Sequence, residues 1–176
     1  MQKVMGAKKV LVLDVDETLL NLEPLFFLKT FKKNYKDFEG QTVTFPDAKH
    51  KYYLAPRPRL REFLTKAKKH FHLAAFSVVS KEITLEKLKL LGVDGEFARI
   101  YGEEDLNGKK KSLRKVAEDF NIPLASVIAI DNKPEAFIES NNIIKVKPWL
   151  IGGVEKYEYQ ERDDNLFGAL SKALTV

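Results

Sequence analysis

The run Lys9-Val-Leu-Val-Leu-Asp14-Val-Asp16-Glu-Thr18-Leu-Leu20 constrains this chain more than any other stretch. An apolar, β-prone segment delivers two carboxylates, one residue apart, to the point where a strand should end. Carboxylates near an apolar strand are costly to bury unless a positive charge pairs with them. Mg²⁺, which prefers carboxylate and carbonyl oxygens, is an economical partner. One carboxylate is then available to attack an electrophile while the other handles protons.

The surrounding chain is that of an ordinary globular protein. Its 176 residues are expected to form a single domain over 1–176, with 44% hydrophobic and 31% charged residues. The absence of cysteine excludes disulfides and thiolate metal sites. No apolar run approaches the ~20 residues of a membrane span. Residues 1–9 are basic but lack the apolar stretch of a signal peptide, so a cytoplasmic or nuclear monomer is expected. The net charge of +5 suits a polyanionic partner. The lysines over 29–36, 66–69, 81–89 and 109–111 read more simply as solvated helix faces. A weakly basic surface still steers anions.

Apolar runs alternate with amphipathic stretches, which predicts an α/β protein with a mainly parallel sheet. Strands are expected at 8–14, 72–76, 97–101, 127–130 and 143–146, with short ones at 41–45 and 51–55 around a turn at Pro46-Asp47. Helices are expected at 24–35, 59–71, 81–91, 111–120 and 165–174, the third stopped by Gly92 and the fourth by Asn121 and Pro123. Residues 21–56 and 152–164 interrupt the alternation and read as insertions or loops.

Chemically useful residues gather where ligands bind in such sheets, at the carboxyl ends of strands. They are Asp14 and Asp16, then Ser77, one of Lys109, Lys110 or Lys111, and Asp131-Asn132. In this order they resemble the four motifs of haloacid-dehalogenase-type phosphotransferases. Asp14-Val-Asp-Glu-Thr-Leu-Leu20, Arg57-Pro58, Phe76-Ser77, Ile130-Asp131-Asn132-Lys-Pro134 and Asn142-Ile-Ile144 resemble more closely the FCP/SCP branch. Its members are phosphatases of the RNA polymerase II C-terminal tail and related phosphoproteins. The likeness covers roughly residues 8–174, Trp149 and Asp164-Asn-Leu166 included.

The resemblance implies a three-layer Rossmann-like core with a five-stranded sheet, Asp14 on its central strand, and no large cap domain. It makes Asp14 the nucleophile and Asp16 the general acid and base, with Thr18 organising the loop. Mg²⁺ would be held by Asp14, Asp16 (through its carbonyl), Asn132 and Asp131, the last through water unless it orients the lysine. The phosphate would meet Val15, Asp16, Ser77 and Lys111. Lys111 is favoured because Lys111-Ser-Leu113 resembles the family's Lys-Asp-Leu and opens a helix. Ser80 is a rival to Ser77, Glu135 a candidate supporting acid, and Lys133 an added positive charge at the rim.

Each motif also has a plainer reading: a turn with a helix cap for Asp14-x-Asp16, a strand-end cap for Ser77, a turn for Asp131-Asn132. His50, His70 and His72 lack ligand spacing, and Phe26, Phe27, Phe31, Tyr35 and Phe38 read as packing or a cover over the site. The expected function is a Mg²⁺-dependent phosphomonoester hydrolase acting through an aspartyl-phosphate on phosphoserine or phosphothreonine proteins. Residues 21–56 are too few for a full cap but enough for a flap, so a fairly open site and a large substrate are expected. The alternatives are a nucleic-acid end or small-metabolite phosphatase, or a non-catalytic phosphoprotein-binding module.

Overall fold

A computed structural model describes residues 8–31, 39–45, 49–151 and 165–176. The expected turn at Pro46-Asp47, the aromatics Tyr35 and Phe38, and the segment 152–164 lie outside these. In chain order the described elements are β1 (Val10–Leu13), β2 (Leu20–Pro24), α1 (Leu25–Phe31), β3 (Gln41–Val43), β4 (Tyr52–Pro56) and α2 (Leu60–Lys68). There follow β5 (His72–Phe76), α3 (Lys81–Leu90), β6 (Arg99–Tyr101), α4 (Leu113–Phe120), β7 (Val127–Asp131), β8 (Ile143–Lys145) and α5 (Asn165–Thr175).

Val10-Leu-Val-Leu13 is buried at all four positions, the mark of a strand covered on both faces. It is the middle of a parallel sheet ordered β6-β5-β1-β7-β8. The two-residue alternation divides its side chains. Leu11 and Leu13 join Leu73, Ala75, Ile128 and Ile130 under Phe63, Leu64, Leu88 and Leu170, from α2, α3 and α5. Val10 and Val12 join Ala74, Phe76 and Ala129 under Leu113, Val116 and Ala117 of α4. The three-layer α/β core is thus as expected.

Leu13 pairs with both Ala75 and Ile130, so β1, β5 and β7 end level with one another. Asp14, Ser77 and Asp131 therefore emerge along one edge. Gly102, just beyond β6, completes this edge. A Cβ there would come 2.2 Å from the backbone nitrogen of Lys81, so only glycine lets the end of β6 meet the start of α3.

Residues 20–56 contain an antiparallel sheet ordered β2-β4-β3. Strand β2 was not expected from the sequence, and the expected helix over 24–35 begins at Leu25. Leu22 lies opposite Leu54 across the ladder, and the buried Asn21 side chain accepts a bond from the Ile151 amide at 3.2 Å. The alternation Leu20-Asn-Leu22-Glu is too short to read beside the motif it follows. Among the described residues no helix is long and apolar enough to cross a membrane.

Candidate active site

The loop after β1 closes on itself. The Asp14 amide still donates to Ile130 O at 3.0 Å, after which Val15 O accepts the amides of Leu19 (2.9 Å) and Leu20 (3.2 Å). Glu17 takes the left-handed conformation at φ 63°, and its amide donates to Leu20 O at 2.7 Å. Arg57 secures the turn from below: its amide donates to Leu19 O at 2.8 Å and its buried guanidinium to Thr18 O at 3.1 Å. The Val15 side chain is buried in the core, so only its main chain can face a ligand.

One cluster forms around Asp14. Lys111 Nζ donates to Asp14 Oδ1 at 2.6 Å and to Asp131 Oδ2 at 2.7 Å, all three side chains being buried. The rings of Phe76 and Phe137 lie 5.9 and 5.3 Å from the ammonium. The Thr18 hydroxyl donates to Asp14 Oδ2 at 2.7 Å, accepts from the Asn132 amide at 3.2 Å, and lies 3.3 Å from Asn132 Oδ1. Burial raises the Asp14 carboxyl from 3.8 to about 6, Lys111 pulling it back and the Asp131 charge pushing it further up. Burial also works against the charged Lys111, but its two carboxylates outweigh that and raise it.

A second cluster forms around Asp16. Ser77 donates to Asp16 Oδ2 at 3.0 Å, and Lys87 Nζ donates to Asp16 Oδ1 at 2.6 Å. Lys87 corrects the reading of lysines 81–89 as a solvated face, because its side chain is 4% exposed. It was missed because it sits in a lysine-rich helix. The available signal was its share of a helical face with Thr84 and Leu88.

Other expected positions fall elsewhere. Lys109 and Lys110 are exposed, and Lys111 does not open the helix. Ser112 caps α4 instead, accepting from the Lys115 amide, which leaves Lys111 in a short bridge to Phe137. Ser80 likewise caps α3, accepting from the Ile83 amide at 3.3 Å. Glu135 is exposed, and the supporting acid in this region is Glu139, which accepts from Ser112 Oγ and the amides of Leu113 and Arg114. Lys133 stands at the rim, but with Glu17 3.2 Å away. Asn132 Nδ2 donates to the same Glu17 carboxylate at 2.8 Å. A cavity of about 420 Å³ lined by Gln41, Arg57, Arg61 and Leu91 lies apart from these carboxylates.

The donor set fits a hard cation. Asp14 Oδ2 and Asn132 Oδ1 flank one hydroxyl, and the raised Asp14 carboxyl marks a buried charge that a cation would relieve. Among the described residues no three His, Cys, Asp or Glu side chains group closely enough to hold a metal ion alone. A cation there would use the Asn132 amide oxygen, a backbone carbonyl and water. That is the habit of Mg²⁺, which keeps several waters.

The geometry fits the phosphatase resemblance, and comparison with known proteins bears that resemblance out. Residues 9–175 match the family described as NLI interacting factor-like phosphatase, and the chain belongs to it. Among relatives, it is 26% identical over 144 residues to "Phosphatase PSR1" of Saccharomyces cerevisiae, covering 81% of this chain and 32% of that one. It is 26% identical over 172 residues to an RNA polymerase II C-terminal domain phosphatase of the same yeast, covering 81% and 23%. The chain thus spans a third or less of the length of these relatives. Its fold is similar to that of Fcp1, an essential RNA polymerase II CTD phosphatase, with TM-score 0.65 and 20% identity over 96% of this chain and 49% of that chain. It is also similar to a haloacid dehalogenase-like hydrolase from Xanthomonas campestris, with TM-score 0.59 and 11% identity over 96% of both chains.

Proposed function

We propose that this chain is a single phosphatase domain, 1–176, that hydrolyses phosphomonoesters on phosphoserine or phosphothreonine proteins through an aspartyl-phosphate at Asp14. The observation that carries this is Lys111, buried and shared between Asp14 Oδ1 and Asp131 Oδ2. A buried ammonium in contact with a carboxylate at a strand end both offsets part of what burial costs its charged form and offers positive charge to an incoming phosphoryl group.

In the first half-reaction an Asp14 oxygen attacks phosphorus, the bond to the leaving oxygen breaks, and Asp16 gives that oxygen a proton. In the second, water attacks phosphorus as Asp16 takes its proton. The bond to Asp14 breaks, restoring the carboxylate and releasing phosphate. Ser77 and Lys111 bind phosphate oxygens, with the main chain of Val15 and Asp16. Asp131 orients Lys111, and Thr18 fixes both Asp14 and Asn132. Asp14, Asn132 and the Asp16 carbonyl would hold Mg²⁺, with Asp131 outside it through Lys111 or water. When bound, Mg²⁺ supplies charge neutralisation at the phosphate.

The protein-substrate reading draws on the two yeast phosphatases and on the short insertion. Residues 21–56 would act as a flap beside an open mouth rather than as a cap. The test is a panel of phosphopeptides, 3′-phosphorylated oligonucleotides and sugar phosphates, assayed with Mg²⁺ and with EDTA. Mg²⁺-dependent turnover greatest on phosphopeptides is expected. Preference for oligonucleotides or sugars would replace the substrate class, and phosphopeptide binding without turnover would replace the enzyme by a binding module.

A further inference from the structure

The feature that these roles leave unused is Lys87. Helix α3 turns Thr84, Lys87 and Leu88 inward while Ile83 and Leu90 lie 40% and 38% exposed. It therefore buries a lysine and leaves apolar side chains at the surface, the reverse of the usual arrangement. Desolvating an ammonium is costly, and an apolar side chain of similar length would fill the same space without that cost. Among the described residues the compensation is a single carboxylate oxygen, Asp16 Oδ1, at 2.6 Å. Ser77 holds the other oxygen at 3.0 Å. Both oxygens of Asp16 are thus engaged from the protein side; once a phosphate claims the Ser77 hydroxyl the Lys87 bond stays in place, and the side chain is 33% exposed toward solvent.

We propose that Lys87 is a positioning residue that holds Asp16 as the water-activating base of the second half-reaction. The inference rests on the roles proposed for Asp14 and Asp16. The ammonium, 2.6 Å from Oδ1, restrains rotation of the Asp16 carboxylate about its side-chain torsions. It thereby fixes the oxygen that must meet the water. In that step water forms a bond to phosphorus, its proton passes to Asp16, and the phosphorus bond to Asp14 breaks with its electrons returning to the carboxylate. Misplacing a catalytic group by about 1 Å can cost ~10²-fold. Attack by Asp14 on the substrate depends on Lys111 and Thr18, which Lys87 does not touch.

The test uses p-nitrophenyl phosphate, whose aryloxide leaves without needing a proton, so the first half-reaction becomes insensitive to Asp16. The full chain with Mg²⁺ is compared with K87M by steady-state and rapid-quench kinetics. In K87M kcat is expected to fall about tenfold to a hundredfold, with kcat/KM held within about threefold. A burst of p-nitrophenol approaching about one per enzyme, with acid-stable phosphoenzyme, should precede the slow phase. K87R should recover part of kcat, and K87Q serves as the readout if K87M does not fold. Equal losses in kcat and kcat/KM without a burst would mean a merely structural lysine and overturn the proposal. A raised KM at unchanged kcat would make Lys87 a phosphate ligand and overturn it equally. D14N run alongside separates the two levels: if it retains turnover, the nucleophile reading itself fails, whatever K87M does.

Discussion

Lys111 and Lys87 each bring an ammonium 2.6 Å from a carboxylate of the same loop, yet the two pairs are built differently. Lys111 lies between two buried acids, Asp14 and Asp131, whose side chains are 9% and 1% exposed. Lys87 reaches one acid, Asp16, which keeps a third of its surface in solvent. Distance alone would call them equivalent; burial separates them. Removing Lys111 strands two like charges away from water, whereas removing Lys87 lets water take its place beside Asp16. On the roles proposed above, the inner pair is a fixed platform for a nucleophile. On the same proposal, the outer one orients a group that trades protons with the mouth of the site.

Replacing the carboxylate at the heart of the inner cluster has the largest expected effect. D14N should reduce turnover to background, because uncatalysed phosphate-monoester hydrolysis is so slow that acceleration can reach ~10²¹-fold. The same variant should be more stable than the wild type at pH 7.5. Raising Asp14 from 3.8 to about 6 corresponds to on the order of 3 kcal/mol of strain in its ionised form, at ~1.4 kcal/mol per unit. Calorimetry of D14N showing lost stability would break the picture of a carboxylate held against its preference.

The two lysines sharpen the comparison directly. K111M should cost about 3–5 kcal/mol in denaturant unfolding, the usual penalty for stripping one partner from a buried ion pair. K87M should stay within about 1 kcal/mol of the wild type, since its partner can be hydrated and its own desolvation is relieved. Equal losses at both positions would show that burial is not what distinguishes them.

The pH response tests the inner cluster alone. The folded-state value of Asp14 lies above its ordinary one, so its contribution to stability is full below about pH 4 and is lost as pH rises through about 6. Lys111 is shifted upward, so its contribution holds at every pH below its ordinary range. A cation on Asp14 favours the ionised form. Added Mg²⁺ should therefore raise Tm more at pH 7.5 than at pH 5, and a shift of the same size at both would place the cation elsewhere.

The carboxylates and the serine of both clusters were legible in the sequence and the lysine of the outer one was not, for a physical reason. Asp14, Asp16, Ser77 and Asp131 each follow an apolar run, and the run announces both the strand and where it ends. Lys111 could be singled out only by motif likeness among three consecutive lysines. The structure separates them by the Ser112 cap, which starts α4 at Leu113 and turns Lys111 back toward β7. Lys87 lies mid-helix, where its neighbours make it look like one solvated lysine among several. Its contact with Asp16 is a tertiary one, 71 residues away in sequence. Strand β2 escaped because it and its partner β4 lie at opposite ends of the same insertion, whose length hides the pairing.

The smallest expected effect comes from what holds Lys111 in place. Glu139 accepts from Ser112 Oγ and the Leu113 and Arg114 amides at 2.8–3.1 Å, tying the turn after Asn132 to the start of α4. The Lys111 amide donates to Ala136 O at 2.9 Å and Lys111 O accepts from the Ile138 amide at 3.0 Å, so Lys111 is bracketed by that same turn. Burial pushes the Glu139 carboxyl up, but the two amides and the hydroxyl outweigh it and hold it below 4.5. A lowered carboxyl stabilises above its ordinary value and loses that contribution as pH falls below it. E139Q should therefore cost about 1 kcal/mol at pH 7, in the range of a lost helix cap, and the gap to the wild type should close in acid. Its kcat should change by less than about twofold, because both backbone bonds that bracket Lys111 remain. A larger loss of kcat would show that the inner platform is held by its cap as much as by its charges.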